Sequence, residues 1–346
     1  MFKKVIISIL FIGLLIGAYI GYDMYKNIYQ PNVTITKNQD KYFYVYTGYS
    51  FENVVNDLYE KGYIMNRNSF EWVADKKANF KNNIKAGRYL LKDGMSNNEL
   101  VDLLRSGVQE PVEVTFNNVR TISELSGKIT KNIECDSLAF YKLISDKTFT
   151  AKYGFNTITI LTLFLPNTYE FYWNTSAEQL IKRMAEEYKN FWTDERKAKA
   201  RKLNLSQSEV AILASIVQAE QSVHADERPI VAGLYINRLR IGMLLQSDPT
   251  VVYGIGDFTI NRVLTKHLKY NTPYNTYLHK GLPPGPINLP SIQSLDAVLN
   301  YQKHNYIYMC AKADFSGYHA FATNYNQHLN NARKYQQELN RRKIYN

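Results

Sequence analysis

The N-terminus constrains the possible folds of this chain most, because it carries a long apolar run of the kind found in membrane-spanning helices. Lys3 and Lys4 precede a stretch without charged side chains, from Val5 to Tyr22. As a helix this stretch is about 27 Å long, close to the roughly 30 Å hydrocarbon thickness of a bilayer. We predict a transmembrane helix over residues 5–22. Positive flanks stay inside, so residues 1–4 form a cytoplasmic tail.

A cleaved signal peptide is the alternative interpretation of the same stretch. Such a peptide has a shorter apolar core, followed by a cleavage site made of small residues. Tyr19, Tyr22 and Asp23 occupy that region and provide no such site. We therefore favour an uncleaved, single-pass anchor in the cytoplasmic (inner) membrane, with the rest of the chain extracytoplasmic.

Composition indicates a folded, basic protein. The 346 residues are 45% hydrophobic and 21% charged, with a net charge of +11. These fractions are typical of globular domains, and the length suffices for two domains with their own cores. A basic surface attracts anionic partners. Because the anchor keeps the chain outside the cytoplasm, we expect no nucleic acid and favour an acidic cell-wall polymer.

Two regions follow the anchor in the predicted α+β fold. The polar residues 23–40 read as a linker. Residues 41–107 alternate as strand, helix, helix, strand and helix, with Ser50 and Ser96 as helix N-caps. This small module is either a packing domain or a polysaccharide-binding module. The remaining residues 108–346 form a larger α+β domain.

Glu220 is the strongest candidate for chemistry. It ends a helix predicted over "SQSEVAILASIVQAEQ", and Leu213, Ile216 and Val217 share its face at helical spacing. A carboxylate among apolar neighbours is disfavoured in its charged form, so its pKa rises. A raised pKa is what a general acid needs near neutral pH. We therefore predict that Glu220 is the catalytic acid.

Polar residues gather after this helix, in a stretch that we predict to be a loop. The stretch is "LLQSDPTVVYG", and loops of this kind often carry function. Glycosidases commonly pair two carboxylates, which makes Asp248 a candidate partner of Glu220. Asp before Pro also starts turns, so a structural role for Asp248 stays open. We interpret Glu227 as an ordinary charged residue in the first turn of a helix. Arg228 and Arg238 are then expected to form ion pairs with the acidic side chains of this region.

The sequence contains no recognisable metal or cofactor site. Its six histidines are scattered, and neither H-E-x-x-H nor G-x-S-x-G occurs. The two cysteines, Cys135 and Cys310, lack metal-type spacing. One disulfide is possible in principle, but we expect two buried thiols. We predict neither a metal nor an organic cofactor.

Several sequence blocks resemble the MltG (YceG-like) endolytic murein transglycosylase family. They are "LASIVQAEQ", "ERPIVAGLYINRLRIGMLLQSDPTVVYG", "TPYNTYLHKGLPPGPI", "FLPNTYEFYW" and "HAFATNYNQHLNNARKY". The resemblance extends from the anchor to the tail. It implies that residues 41–107 form a LysM-like module and that residues 108–346 form the YceG-like catalytic domain.

The resemblance also implies a reaction. Family members are single-pass membrane enzymes that cut nascent peptidoglycan between N-acetylmuramic acid and N-acetylglucosamine. They do so without water and leave 1,6-anhydro ends. The position that matches the family's catalytic glutamate is Glu220. Gln218 replaces a Glu found in many members, so Glu220 is the one carboxylate that remains in "SIVQAE". In "FLPNTYEFYW", Asn167 replaces a common aspartate, which argues against an acid role at that position and leaves a positioning role open.

This substrate gives the other candidates a role. We expect them to bind sugar hydroxyls and acetamides; they are Gln246, Asp248, Thr250, Tyr253, Asn237, Asn275 and Tyr277. The implied partners are the glycan strand and, by resemblance only, the cell-wall synthesis machinery. Two alternatives remain: a hydrolytic muramidase in which Asp248 activates water, and a non-catalytic scaffold that binds the wall.

Overall fold

The structure, a computed structural model, describes residues 2–343 and divides into two compact units. Unit 1 comprises Met1–Glu113, Asn132–Cys135 and Glu170–Ser176; unit 2 comprises Val114–Lys131, Asp136–Tyr169 and Ala177–Asn346. Residue 1, in the predicted cytoplasmic tail, and residues 344–346, at the end of the predicted catalytic domain, lie outside the described residues. The chain thus returns to unit 1 twice after residue 113.

The predicted membrane span is part of a longer helix, α1 (Phe2–Tyr29). Its most apolar window has a mean hydropathy of 2.4, none of that window is buried, and the helix is long enough to cross a membrane. α1 continues into the segment expected to be a linker. Asn32, just beyond, is buried and donates from its amide to Asn97 Oδ1 at 2.6 Å. Residues 23–33 are therefore structured, because a buried amide needs such partners.

Unit 1 follows the predicted order of strand, helix, helix, strand and helix. After α1 its elements are β1 (Tyr42–Val45), α2 (Phe51–Glu60), α3 (Arg67–Lys76), β2 (Gly87–Leu90) and α4 (Asn97–Ser106). β1 and β2 pair antiparallel. Ser50 and Ser96 cap α2 and α4 through capping boxes, which confirms both predicted helix starts.

Unit 2 and the strands that lead into it hold the remaining strands and α-helices. These are β3 (Val112–Phe116), α5 (Ile122–Ile129), α6 (Ser137–Ser145), α7 (Lys147–Ala151), β4 (Asn167–Phe171), α8 (Ala177–Phe191), α9 (Asp194–Lys202), α10 (Gln207–Glu220), α11 (Arg228–Arg240), α12 (Asp248–Ile255), α13 (Thr265–Leu268), α14 (Ile292–Leu299), β5 (Tyr308–Ala311), β6 (His319–Ala322) and α15 (Tyr325–Arg341). β3 pairs with β4, and β5 pairs with β6 as an antiparallel hairpin. α10 runs through the main core of unit 2 and packs against α11, α12 and α14.

The prediction of a loop after Ser247 is wrong, because residues Asp248–Ile255 form α12. Pro249 lies in the first turn, where a missing N–H costs nothing. Gly256 ends the helix with a φ of 79°, in the left-handed region that favours glycine. Asp-Pro and Gly here mark the two ends of a short helix and not a turn.

Two helical glycines of unit 2 give a matched test of packing. A Cβ on Gly233 in α11 would clash with the carbonyl oxygen of Gln302 and lie 2.7 Å from His304 Nε2, whereas one on Gly127 in α5 meets nothing within 4 Å. We expect Gly233→Ala to cost about 2 kcal/mol through overpacking. Gly127→Ala should stabilise by about 0.5–1 kcal/mol through helix propensity. Thermal unfolding followed by circular dichroism separates them, and a melting temperature raised by both variants would contradict the packing at Gly233.

Candidate active site

α10 delivers Glu220 to the surface of the core. Ser206 caps the helix through a capping box with Glu209, and residues 210–217 are all buried. The apolar surroundings are thus wider than the single stripe that the sequence indicated. Glu220, the last helical residue, is half-buried at the point where the chain leaves the core.

The two carboxyl oxygens of Glu220 have different surroundings. Oε1 accepts hydrogen bonds from Tyr235 Oη at 2.8 Å and from Ser247 Oγ at 2.5 Å. Oε2 has no hydrogen-bond partner within residues 2–343, and Glu220 lines a cavity of about 250 Å³. An oxygen that accepts from two hydroxyls is suited to be the carbonyl oxygen of the acid. The proton then belongs on Oε2, which is left for a ligand in the cavity.

The surroundings raise the pKa of Glu220, as the sequence predicted. Burial is the main cause, and the negative charge of Asp248 acts in the same direction. The hydrogen bonds from Ser247 and Tyr235, and the electrostatic interaction with His319, oppose the rise without cancelling it. Burial also raises the pKa of Tyr235 well above its ordinary value, so this phenol stays protonated and keeps donating.

Opposite shifts of the Glu220 pKa test this electrostatic account. Ser247→Ala removes a donor that stabilises the carboxylate, so we expect the pKa of Glu220 to rise further. Asp248→Asn removes a repelling charge, so the pKa should fall. Carbon NMR titration of glutamate side-chain carboxyls, with Glu220→Gln to assign the signal, measures both. Shifts of the same sign in the two variants would contradict the arrangement.

Three of the expected sugar-binding residues are on cavity surfaces near Glu220. Gln246, Asp248 and Tyr277 line the same cavity as Glu220, and Tyr277 Oη donates to Asp248 Oδ1 at 2.6 Å. Gln246 adopts a left-handed φ of 51°, and its N–H donates to the carbonyl oxygen of Thr276 at 3.1 Å. This hydrogen bond fixes a backbone conformation that non-glycine residues rarely adopt.

A second, larger cavity lies on the other side of Asp248. It has a volume of about 870 Å³, and Asp248 and Tyr253 line it together with Gln218 and Asn288. Asp248 is exposed and belongs to the walls of both cavities. The Glu220 site therefore has room on one side for more than one sugar.

The remaining three candidates bond to the protein itself. Thr250 and Asn275 are fully buried. Thr250 Oγ1 donates to the carbonyl oxygen of Ser247 at 2.7 Å, and the Asn275 amide donates to two backbone carbonyls of the preceding segment. The half-buried Asn237 likewise donates to two backbone carbonyls. The predicted sugar contact of Thr250 and Asn275 is wrong, because buried polar groups must be satisfied internally; all three side chains brace the site.

The expectation that the two arginines pair with acids is also wrong. Arg228 donates to the carbonyl oxygens of Gln221 at 2.9 Å and Ser222 at 3.2 Å, directly after α10. Arg238 donates to the carbonyl oxygens of Leu245 and Ile307 at 2.5 and 2.7 Å. Both guanidinium groups therefore hold backbone segments around Glu220.

Sequence reasoning missed Tyr235, Ser247 and His319. His319, at the start of β6, lines the Glu220 cavity and bonds to Glu227, which is buried and not an exposed helix start. Tyr235 carried a detectable signal, since it is a polar aromatic side chain on the apolar helix α11. Nothing near Ser247 or His319 in the sequence connects them to Glu220.

The structure also bears on the two cysteines and on metal binding. Cys135 and Cys310 are not joined in a disulfide, and both are partly exposed where we expected burial. Cys310 lines the Glu220 cavity, and burial raises the pKa of its thiol. Within residues 2–343, no group of three His, Cys, Asp or Glu side chains is arranged to hold a metal ion.

Comparisons with known proteins place this geometry in a family. The YceG-like family model matches residues 43–334. The endolytic murein transglycosylase of Bacillus subtilis is 28% identical over 284 residues, which cover 78% of each chain. The endolytic murein transglycosylase of Streptococcus pneumoniae is 28% identical in an alignment over 348 residues. That alignment covers 89% of this chain and 61% of the length of the relative.

A solved structure agrees with these sequence matches. The crystal structure of a yceG-like protein from Listeria monocytogenes superposes with a TM-score of 0.55 at 25% identity, covering 84% of this chain and 97% of that one. The resemblance seen in the sequence blocks is thereby confirmed. Because the family match extends over most of its length, this chain belongs to the YceG-like family.

Proposed function

We propose that this protein is a membrane-anchored lytic transglycosylase that cuts nascent peptidoglycan strands internally. It breaks the β-1,4 bond between N-acetylmuramic acid and N-acetylglucosamine and leaves a 1,6-anhydro end. Family membership and the names of the relatives support the reaction class. The observation that carries the proposal is Glu220, a carboxyl of raised pKa with one oxygen held and the other open to a cavity.

Glu220 supplies the proton that the leaving sugar needs. Tyr235 and Ser247 hold Oε1, so the acidic proton on Oε2 faces the glycosidic oxygen of a bound strand. The same two hydroxyls stabilise the carboxylate that forms once the proton has left. Gln246, Asp248 and Tyr277 bind the sugars on either side of the bond.

The muramyl C6 hydroxyl acts as the nucleophile. It belongs to the sugar under attack, so the ring closes within one molecule and gains the advantage of proximity. The hydroxyl must lose a proton as its oxygen bonds to C1. Glu220, once ionised, is one acceptor within the cavity, so a single carboxyl can complete the cycle.

A hydrolytic muramidase is the second candidate function. Asp248 lines the same cavity as Glu220 and could activate a water there. Mass spectrometry of nascent strands digested by the full-length protein in detergent separates the two reactions. Transglycosylation yields ends that lack one water relative to hydrolysed ends. We expect anhydro ends; hydrated reducing ends would favour the muramidase, and intact strands would favour a non-catalytic scaffold.

The parts outside the site suit the same task. We place Lys3 and Lys4 in the cytoplasm and α1 in the cytoplasmic membrane, which leaves the chain beyond α1 outside, where new strands emerge. The strand–helix–helix–strand order of unit 1 supports a LysM-like module that contacts glycan. The cell-wall synthesis machinery would be the partner that delivers the strand. Protease added outside intact cells should digest the chain beyond α1, and its protection would overturn this orientation.

A further inference from the structure

A histidine and a buried carboxylate form a pair beside Glu220 that the acid step does not use. His319 Nδ1 lies 2.7 Å from Glu227 Oε2, and the His319 backbone N–H donates to Glu227 Oε1 at 2.8 Å. Gln221 Nε2 also donates to Oε2, at 2.5 Å. Only 4% of the Glu227 side chain is exposed. A buried carboxylate with three donors directed at it is a fixed part of the fold.

This pair determines which nitrogen of His319 is free. An ionised carboxylate only accepts hydrogen bonds, so the contact to Glu227 puts a proton on Nδ1. In the neutral ring, Nε2 is then an acceptor. Nε2 has no hydrogen-bond partner in the described part of the chain, and the ring lines the Glu220 cavity. The neutral ring therefore offers a free lone pair to whatever occupies that cavity.

Other charged and titratable groups surround the ring. Glu227 lies behind it, and the side chains that line the cavity with it come from α10, α11, α12, the segment before α14, and β5: Glu220, Tyr235, Arg238, Asp248, Tyr277 and Cys310. Among these, Glu220 and His319 interact electrostatically. An acid with an open oxygen and a base with an open nitrogen thus share one cavity.

We propose that His319 is the base that takes the proton of the muramyl C6 hydroxyl, an inference that rests on the proposed function. As O6 bonds to C1, its proton passes to Nε2. The bond from C1 to the leaving oxygen breaks, and that oxygen takes the proton of Glu220. The step ends with Glu220 ionised and His319 protonated. Transfer of that proton from His319 to Glu220, directly or through solvent, restores both groups, and no water is consumed.

Separate acid and base groups allow the glycosidic bond to break while the new ring closes. While Glu220 is still giving its proton to the leaving oxygen, it cannot accept one from O6. With a single carboxyl, bond breaking and ring closure must therefore be separate steps. A second group lets them overlap, and Glu227 keeps that group in the required tautomer, as the buried aspartate does in serine proteases.

His319→Gln tests the proposal in the full-length protein. We expect kcat/KM for release of anhydro ends to fall about 10²- to 10⁴-fold. The wild-type pH profile should be bell-shaped, because the base must be neutral and Glu220 must be protonated. His319→Gln should lose the acid limb, because no base then has to be deprotonated, and should keep a basic limb, because Glu220 must still be protonated. A merely structural role of His319 would leave both limbs in place.

Glu227→Gln is the second variant. The amide nitrogen of Gln can donate to Nδ1 and so shift the ring proton to Nε2, which is then no longer a base. We expect a similar fall in kcat/KM, and no further fall when His319→Gln is added, because the two residues act as one unit. His224→Gln is the matched control. His224 bonds to the Ser316 carbonyl oxygen outside the cavity, and its loss should leave both limbs.

A binding measurement keeps the outcomes distinct. In a Glu220→Gln background, adding His319→Gln should change the Kd for glycan strands less than about threefold, since the proposal concerns proton transfer and not binding. A wild-type profile without an acid limb, an acid limb that persists in His319→Gln, or an activity loss explained by Kd would each overturn the role of His319. Absence of anhydro ends from wild type would instead overturn the proposed function.

Discussion

Glu220→Gln should lower strand cleavage by roughly 10³-fold or more, because the variant has no proton to give to the leaving sugar. The amide keeps an oxygen that can accept from Tyr235 and Ser247, so the site should retain its shape. Release of anhydro ends from nascent strands, measured for wild type and variant under identical conditions, gives the ratio. Activity within tenfold of wild type would remove Glu220 from the mechanism.

The same substitution should not destabilise the protein. Folding raises the pKa of Glu220, so the folded state binds this proton more tightly than the unfolded state does. Its contribution to stability is present at low pH and is lost as pH rises from the unfolded value through the folded pKa. Glutamine does not ionise and avoids that loss. At pH 8 we expect the melting temperature of Glu220→Gln to equal or exceed that of wild type.

Glu209→Gln in the same helix is the control. Glu209 closes the capping box of α10 by accepting from the Ser206 N–H at 2.7 Å. Glutamine keeps an oxygen for that hydrogen bond but removes the negative charge from the first turn of the helix, so the replacement should cost about 0.3–1 kcal/mol of stability and leave kcat unchanged. Glu220→Gln should thus lose activity but keep stability, whereas Glu209→Gln should lose stability but keep activity. A common loss of both would mean that Glu220 is a structural carboxylate of the helix end.

Glu220 could be found from sequence because part of its apolar surroundings lies within a few turns of the same helix. Helical spacing brings Leu213, Ile216 and Val217 to it without knowledge of the fold. The groups that complete the site come from farther away. Ser247 is 27 residues from Glu220, and His319 is 92 residues from Glu227. Only the packing of α10, α12 and the β5–β6 hairpin brings these residues together.

Residue type alone could not separate groups that face the cavity from groups that brace it. Thr250 and Asp248 are two positions apart and were both expected to bind sugar. Because α12 is a helix, one of them is exposed on the cavity and the other points into the core, where its hydroxyl bonds to Ser247. An extended loop would have put both on one side. The wrong prediction of a loop at residues 248–255 therefore also led to the wrong prediction that Thr250 contacts sugar.

Arg228→Met should have the largest effect on stability, about 3 kcal/mol. Arg228 is 8% exposed, and its guanidinium donates to the carbonyl oxygens of Gln221 and Ser222. These are carbonyls beyond the last turn of α10, which a helix cannot satisfy itself. Hydrogen bonds from a charged donor contribute about 1.5–3 kcal/mol each, and the carbonyl of the buried residue Gln221, left without a partner, adds to the loss. Cleavage should fall too, because Glu220 directly precedes this segment.

Arg240→Met isolates the cause, because Arg240 lies on the same helix and the side-chain change is identical. Arg240 is exposed and, among residues 2–343, donates only to Tyr301 Oη, at 2.8 Å, so its loss should stay within about 0.5 kcal/mol. Thermal unfolding of both variants and wild type measures the difference. If the two variants melt together, water satisfies the carbonyls that end α10. Burial of residues 210–217 would then position the catalytic carboxyl without help from the arginine.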